Sequence, residues 1–118
     1  MALTDATFSV GRAALWVAAV AAGDLTALRT ATEDRLHQPS RLADGSPTAA
    51  VLAAWRSDPR PFGAWLSGSG PTVAALVADM ATGEALGLLA EETAASAGAG
   101  ESRTRVLSVD RLGVRHAD

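Results

Sequence analysis

Arg12 is the lone charge in an apolar run that continues to Ala22, and its guanidinium fork suits a carboxylate or a phosphate. Ser9 reads as the N-cap of a helix over Val10–Ala22, which puts Arg12 in the first turn. A cation there opposes the helix dipole by ~0.3–1 kcal/mol, so the placement makes sense if an anion meets it. Pairing with Asp5, or exposure at a helix end, is the plainer alternative. Arg41 follows Pro39 in a loop, where a side chain can be aimed at a ligand, although most loop arginines are merely solvated. The third feature is the run Gly68-Ser69-Gly70-Pro71-Thr72 between two short apolar segments. It reads as a tight turn between strands whose successive N–H groups can form an anion nest, or as a hairpin turn with no ligand. No Gly-Lys-Ser/Thr follows it, so it is not a Walker-type phosphate loop.

The remaining polar residues suggest no chemistry of their own. His37 lies near a helix C-terminus, His116 is far away in the tail and cysteine is absent, which makes a poor metal site. His37 also lacks a serine partner for base catalysis and is expected to be structural. Glu33 and Asp34, like Glu91 and Glu92, are adjacent on expected helices, so neither pair faces itself and both read as solvated faces. Trp16, Trp55 and Trp65 read as packing residues, each with an N–H to satisfy.

The elements that must position these groups fall in a clear order. Met1–Thr7 shows no element, Gly23 stops the first helix, and Asp24 caps a second helix that ends at Pro39. Residues Ser40–Gly45 form a loop. Ser46-Pro47 opens a third helix carrying Val51, Leu52 and Trp55, closed at Asp58-Pro59. Phe62–Ser67 and Thr72–Val77 are strand-like, and Asp79–Ala97 is a helix weakened by Gly83 and Gly87. Arg105–Val109 reads as a strand, and Gly113–His116 as another short one. The expected class is α+β, a small antiparallel sheet covered by helices.

Composition narrows the function classes. At 118 residues the chain is one domain, with 48% hydrophobic residues and a mean hydropathy of +0.16, so a packed core is expected. The net charge of -3, with no basic stripe, argues against nucleic acid. All ten basic residues are arginine. The apolar run Ala13–Ala22 is too short to span a bilayer and lacks the basic start of a signal peptide, so a cytoplasmic protein away from membranes is expected.

Three segments together resemble one family. Phe8-Ser9-Val10-Gly11-Arg12-Ala13-Ala14-Leu15, then Glu33-Asp34-Arg35-Leu36-His37-Gln38-Pro39-Ser40-Arg41, then Gly63 through Thr72 look like the C-terminal half of the homoserine kinases. The glycine motif alone says only GHMP small-molecule kinase; the arginine-bearing segments single out the homoserine enzymes.

The resemblance implies a ferredoxin-like GHMP C-terminal domain over residues 1–118, its first strand missing and the N-terminal nucleotide-binding domain absent. It implies ATP-dependent phosphorylation of L-homoserine to O-phospho-L-homoserine in threonine biosynthesis, with ATP and Mg²⁺ held through the other domain. Arg12 and Arg41 match the arginines that hold the amino-acid carboxylate. Gly68, Ser69, Gly70, Pro71 and Thr72 match the loop that supports the nucleotide-phosphate loop. No catalytic residue is expected in this segment, and the piece is expected to be inactive alone.

Two departures stand out. Ser40 replaces the usual tyrosine, and no Pro-x-x-x-Gly-Leu-Gly-Ser-Ser-Ala-type phosphate segment occurs. The expected partners are L-homoserine, ATP and an N-terminal GHMP domain, with a homodimer left open. Two alternatives also stay open: a GHMP kinase for another small alcohol, and a non-catalytic interaction domain that docks a partner through strand edges.

Overall fold

Helix α1 runs from Leu3 to Ala22 in the computed structural model, which describes residues 2–113. It therefore starts well before the expected boundary at Val10 and takes in most of the segment read as lacking an element. Ser9 is not its cap. Ala2 stands at the N-cap without a side-chain hydrogen bond, because the Ala- and Leu-rich stretch propagates a helix without one. Arg12 accordingly sits mid-helix, outside the first turn, and the dipole argument for it falls away. The expected stop holds: Gly23 adopts φ 71°, its N–H reaches Val20 O, and the Asp24 N–H reaches Ala19 O.

The second helix is far shorter than the expected span from Asp24 to Pro39. The Asp24 carboxylate accepts the Thr26 N–H at 3.1 Å and starts a 3-10 turn at Leu25–Ala27, continued by α2 at Leu28–Ala31. The helix ends there because Asp34 captures the N–H groups of Leu36, His37 and Gln38, which a longer helix would need for itself. Glu33 and Asp34 are thus loop residues, not a solvated helix face. The expected loop over Ser40–Gly45 begins inside a single helical turn, α3 at Gln38–Arg41, with Pro39 in its first positions.

From there local signals and structure agree. Helix α4 spans Pro47–Ser57, its N-cap Ser46 accepting the Ala49 N–H at 3.2 Å. Strands β1 (Gly63–Leu66) and β2 (Val73–Leu76) pair antiparallel, Gly63 opposite Leu76 and Leu66 opposite Val73. Helix α5 covers Met80–Ser96, with the Asp79 carboxylate accepting the Thr82 N–H at 2.7 Å.

The fold is α+β, with a two-stranded sheet lying between two helical layers. Ala64, Val73 and Ala75 face α4 and α5, packing with Val51, Leu52, Trp55, Leu86 and Ala90. Gly63 and Trp65 face the other way. A Cβ on Gly63 would lie 2.9 Å from Leu28 O, so glycine lets α2 close onto the strand. Trp65 meets Trp16 of α1 edge-to-face at 5.3 Å, and Trp55 satisfies its indole N–H on Leu86 O at 3.0 Å.

Residues Arg105–Val109 form no ladder strand among the described residues. The chain there is an extended strap laid on α5. Cβ atoms on Gly83 and Gly87 would come within 2.6 Å of Val106 and 2.7 Å of Thr104, so these glycines form a groove that seats the strap. The further strand expected at Gly113–His116 lies outside the described residues apart from its first position.

Candidate functional site

Arg12 lines a cavity of about 340 Å³ between α1 and the loop after α2, with Trp16 and Trp65 at its apolar side and Ser9, Asp34 and Gln38 at its polar side. The guanidinium lies over the Phe8 ring, 4.3 Å from its centroid, and Arg35 approaches the same ring at 3.8 Å. Its charged partner is Glu33, not Asp5. Glu33 Oε2 lies 3.0 Å from Arg12 Nε and 2.8 Å from Nη2. One carboxylate oxygen thus bridges two donors of the fork.

The loop that carries Glu33 is held by Asp34. Its carboxylate accepts the Ser9 hydroxyl at 3.0 Å and the backbone N–H groups of Leu36, His37 and Gln38 at 3.1, 2.7 and 2.6 Å. Burial pushes the Asp34 carboxyl up, but the Gln38, Leu36 and His37 N–H groups and the Ser9 hydroxyl outweigh it and hold it below its ordinary value. Ser9, expected at a helix end, is the anchor that fixes this loop on α1.

Gln38 is the buried polar centre beneath the cavity. Its Nε2 donates to Thr32 O at 3.2 Å, while its Oε1 accepts from Arg56 Nη2 at 2.8 Å and from the Leu66 N–H at 3.2 Å. Arg56 also donates through Nε to Ala64 O at 3.3 Å. Burial lowers its pKa, and the charges of Glu33 and then Asp34 oppose that shift. A second cavity of about 330 Å³ lies beside the first, lined by Arg29, Arg56, Pro61 and Gly63 and sharing Thr32 and Glu33 with it. Arg29 donates to the carbonyls of Arg56, Asp58 and Pro61 at 2.9, 2.9 and 2.6 Å, locking the connection into β1.

The glycine turn reverses the chain between the two strands, as its composition requires. Gly68 and Gly70 adopt φ 61° and 84°, and the Gly70–Pro71 peptide is cis. The Ser67 N–H reaches Thr72 O at 2.8 Å and the Gly70 N–H reaches Ser67 O at 3.4 Å, so these two donors are used within the hairpin. Any anion nest here is smaller than the sequence alone allows. Thr48 Oγ1 donates to Pro71 O at 3.2 Å, and His37 Nε2 meets Gly68 O at 2.7 Å. His37 thus ties the turn to the loop organised by Asp34.

Arg41 ends α3, exposed, and its side chain makes no hydrogen bond or ion pair among the described residues. It does not line the Arg12 cavity. Arg12, Asp34, Gln38 and, through His37, the turn form one connected assembly, and Arg41 stands at its edge. Sequence reading missed Gln38, Arg56 and Asp34. Only Asp34 carried a signal, as an aspartate two to four residues ahead of free N–H groups. Among the described residues no group of three or more His, Cys, Asp or Glu could hold a metal, and no helix is long and apolar enough to cross a membrane.

Comparison with known proteins finds homoserine kinases among its relatives. A homoserine kinase of Thermus thermophilus is 43% identical over 74 residues, 63% of this chain and 25% of that protein. That of Moorella thermoacetica is 47% identical over 73 residues, 62% of this chain and 24% of the relative. That of Corynebacterium aurimucosum is 51% identical over 75 residues, 61% of this chain and 22% of the relative. The chain is thus similar to homoserine kinases over about three fifths of its length, and the match spans about a quarter of the curated relatives. No protein-family model and no solved structure matches the chain.

Proposed function

We propose that this chain is the C-terminal part of a homoserine kinase, which with a nucleotide-binding N-terminal GHMP domain transfers the γ-phosphoryl group of ATP to the side-chain hydroxyl of L-homoserine. The observation that carries the reading is the 43–51% identity to homoserine kinases over 73–75 residues, about a quarter of each relative. Phosphoryl transfer is mostly positioning plus electrostatic stabilisation, supplied by a phosphate cradle and a metal. In this reading those belong to the other domain, together with ATP and Mg²⁺, and the enzyme works in the cytoplasm.

This part contributes the grip on the amino acid. Arg12 presents a guanidinium beside a cavity with an apolar side of two tryptophans, and a substrate carboxylate fits that fork with charge-assisted bonds. Arg41, exposed and unpaired among the described residues, closes on the same carboxylate from α3. Gly68–Thr72, braced by His37 and Thr48, backs the nucleotide loop of the partner domain.

The test is to join this segment to the nucleotide-binding half of a homoserine kinase and follow product by phosphorus NMR. A phosphate monoester formed from L-homoserine and ATP is the expected result. A folded chimera that phosphorylates other small alcohols but not homoserine would overturn the substrate assignment.

A further inference from the structure

Glu33 stands on the ridge between two cavities, and each offers it a guanidinium. On one side Oε2 bridges Nε and Nη2 of Arg12, and Oε1 has no partner among the described residues. On the other, Arg56 spends Nε on Ala64 O and Nη2 on Gln38, and its Nη1 has no partner among the described residues. Arg29, in the same cavity, already donates to three carbonyls through Nη1 and Nη2, whereas the charge of Glu33 is felt at Arg56. Glu33 follows the last turn of α2, and its side chain is 53% exposed against 28% for Arg12. Nothing but the ion pair itself holds the carboxylate in place.

Two carboxylates cannot share one edge of a guanidinium without like-charge repulsion. We propose that Glu33 is an internal stand-in for the ligand carboxylate: it occupies the Nε–Nη2 edge of Arg12 until a carboxylate ligand displaces it, and it then turns across the ridge to Arg56. The inference rests on the reading of Arg12 as a carboxylate holder. Glu33 is a specificity and positioning residue in this scheme. It keeps the Arg12 fork extended between ligands, and it makes every ligand compete with a tethered carboxylate. An exposed ion pair is weak enough to be displaced, and the competition raises the apparent dissociation constant about three- to fivefold.

The experiment uses the full chain, with the Nε–Hε resonances of Arg12 and Arg56 followed by NMR. The probes are sodium acetate, L-homoserine and L-homoserinamide, which lacks the carboxylate. Glu33→Gln is expected to tighten acetate and L-homoserine about three- to fivefold, with homoserinamide unaffected. Saturating acetate should move the Arg56 resonance in the native chain and leave it still in Glu33→Gln, a difference that a purely structural Glu33 would not produce. Glu33→Asp keeps the charge on a shorter arm and should fall between the two; it also serves if the glutamine variant misfolds by circular dichroism.

Unchanged or weaker acetate binding in Glu33→Gln overturns the proposal, as does failure of every carboxylate to bind either protein. Acetate tightened by Glu33→Gln, with homoserine no better than acetate, keeps the stand-in and removes the homoserine reading. Homoserine bound tightly through Arg12, yet indifferent to Glu33→Gln, does the reverse.

Discussion

Gln38 Oε1 lies 2.8 Å from Arg56 Nη2 and, at 3.2 Å, accepts the N–H of Leu66, so one buried amide joins the start of α3 to both α4 and β1. Three elements that share no local sequence signal meet on this oxygen. The irregular segment between α2 and α3 is held from two sides: its backbone N–H groups are satisfied by Asp34, and the Gln38 side chain at its end by Arg56 and Leu66.

Replacing Gln38 by Leu keeps the volume and removes every polar contact. It leaves the Leu66 N–H and a half-buried guanidinium without their acceptor, and stranding such groups costs about 2–3 kcal/mol. Urea unfolding should show that loss with an unchanged slope. Gln38→Glu keeps the acceptor for Arg56 and the Leu66 N–H but turns an acceptor oxygen toward Thr32 O, so its cost should be smaller only as far as the added charge on Arg56 offsets that repulsion.

Asp34 makes the loop pH-sensitive. Its folded pKa is depressed, so its stabilisation is complete above the unfolded value of about 3.9 and is lost as pH falls through the lower folded value. Asp34→Ala should cost about 1–2 kcal/mol at pH 7, the worth of a good cap. The gap between native and variant chains should narrow progressively below about pH 4. A gap that stays constant from pH 7 to pH 2 in denaturant titrations would remove Asp34 from the explanation.

Much of this fold was legible where the signal was local. Ser46 before Pro47, Gly23 after α1 and the glycines at 68 and 70 each act on N–H or C=O groups within a few residues, and each fell where expected, while Asp79, expected as the first residue of its helix, stands one place before it as the cap. The errors share a different cause. Ser9 looked like a cap, but its hydroxyl is taken by Asp34, 25 residues away. The helix expected to run on to Pro39 stops at Ala31 instead, because Asp34 took the N–H groups of Leu36, His37 and Gln38. Arg12 was singled out as a candidate site residue from its isolation among apolar neighbours. Its partner Glu33, 21 positions on, could not be found that way.

Gly83 and Gly87 looked like weak points of a helix and prove to be its contact face. Alanine at either position would raise helix propensity by about 1 kcal/mol, yet the added Cβ would strike Val106 or Thr104 at 2.6–2.7 Å. Neither Val nor Thr can retract a branched Cγ, so the strap has to lift. Gly83→Ala with Gly87→Ala should leave global stability within about 1 kcal/mol, because the propensity gain offsets lost strap contacts. Amide exchange at Thr104, whose N–H donates to Glu91 Oε1 at 2.8 Å, should speed up at least tenfold. Retained protection at Thr104 would mean that the strap is held by something other than the glycine groove.

The two arginines make separable contributions if they hold one carboxylate. Arg12 already stands at the cavity, oriented by Phe8 and Glu33, whereas Arg41 must close from an exposed turn. Losing a charge-assisted bond costs about 1.5–3 kcal/mol, so Arg12→Gln should weaken L-homoserine binding about 10- to 100-fold. Arg41→Gln gives up a contact that first requires ordering a flexible side chain, so its cost should be smaller, about three- to tenfold. The double variant should show coupling, because both groups act on one ligand. Calorimetric titration of the four proteins measures all three quantities. Strictly additive losses would mean that the arginines meet different parts of the ligand, and no loss in Arg41→Gln would leave Arg12 as the sole carboxylate contact.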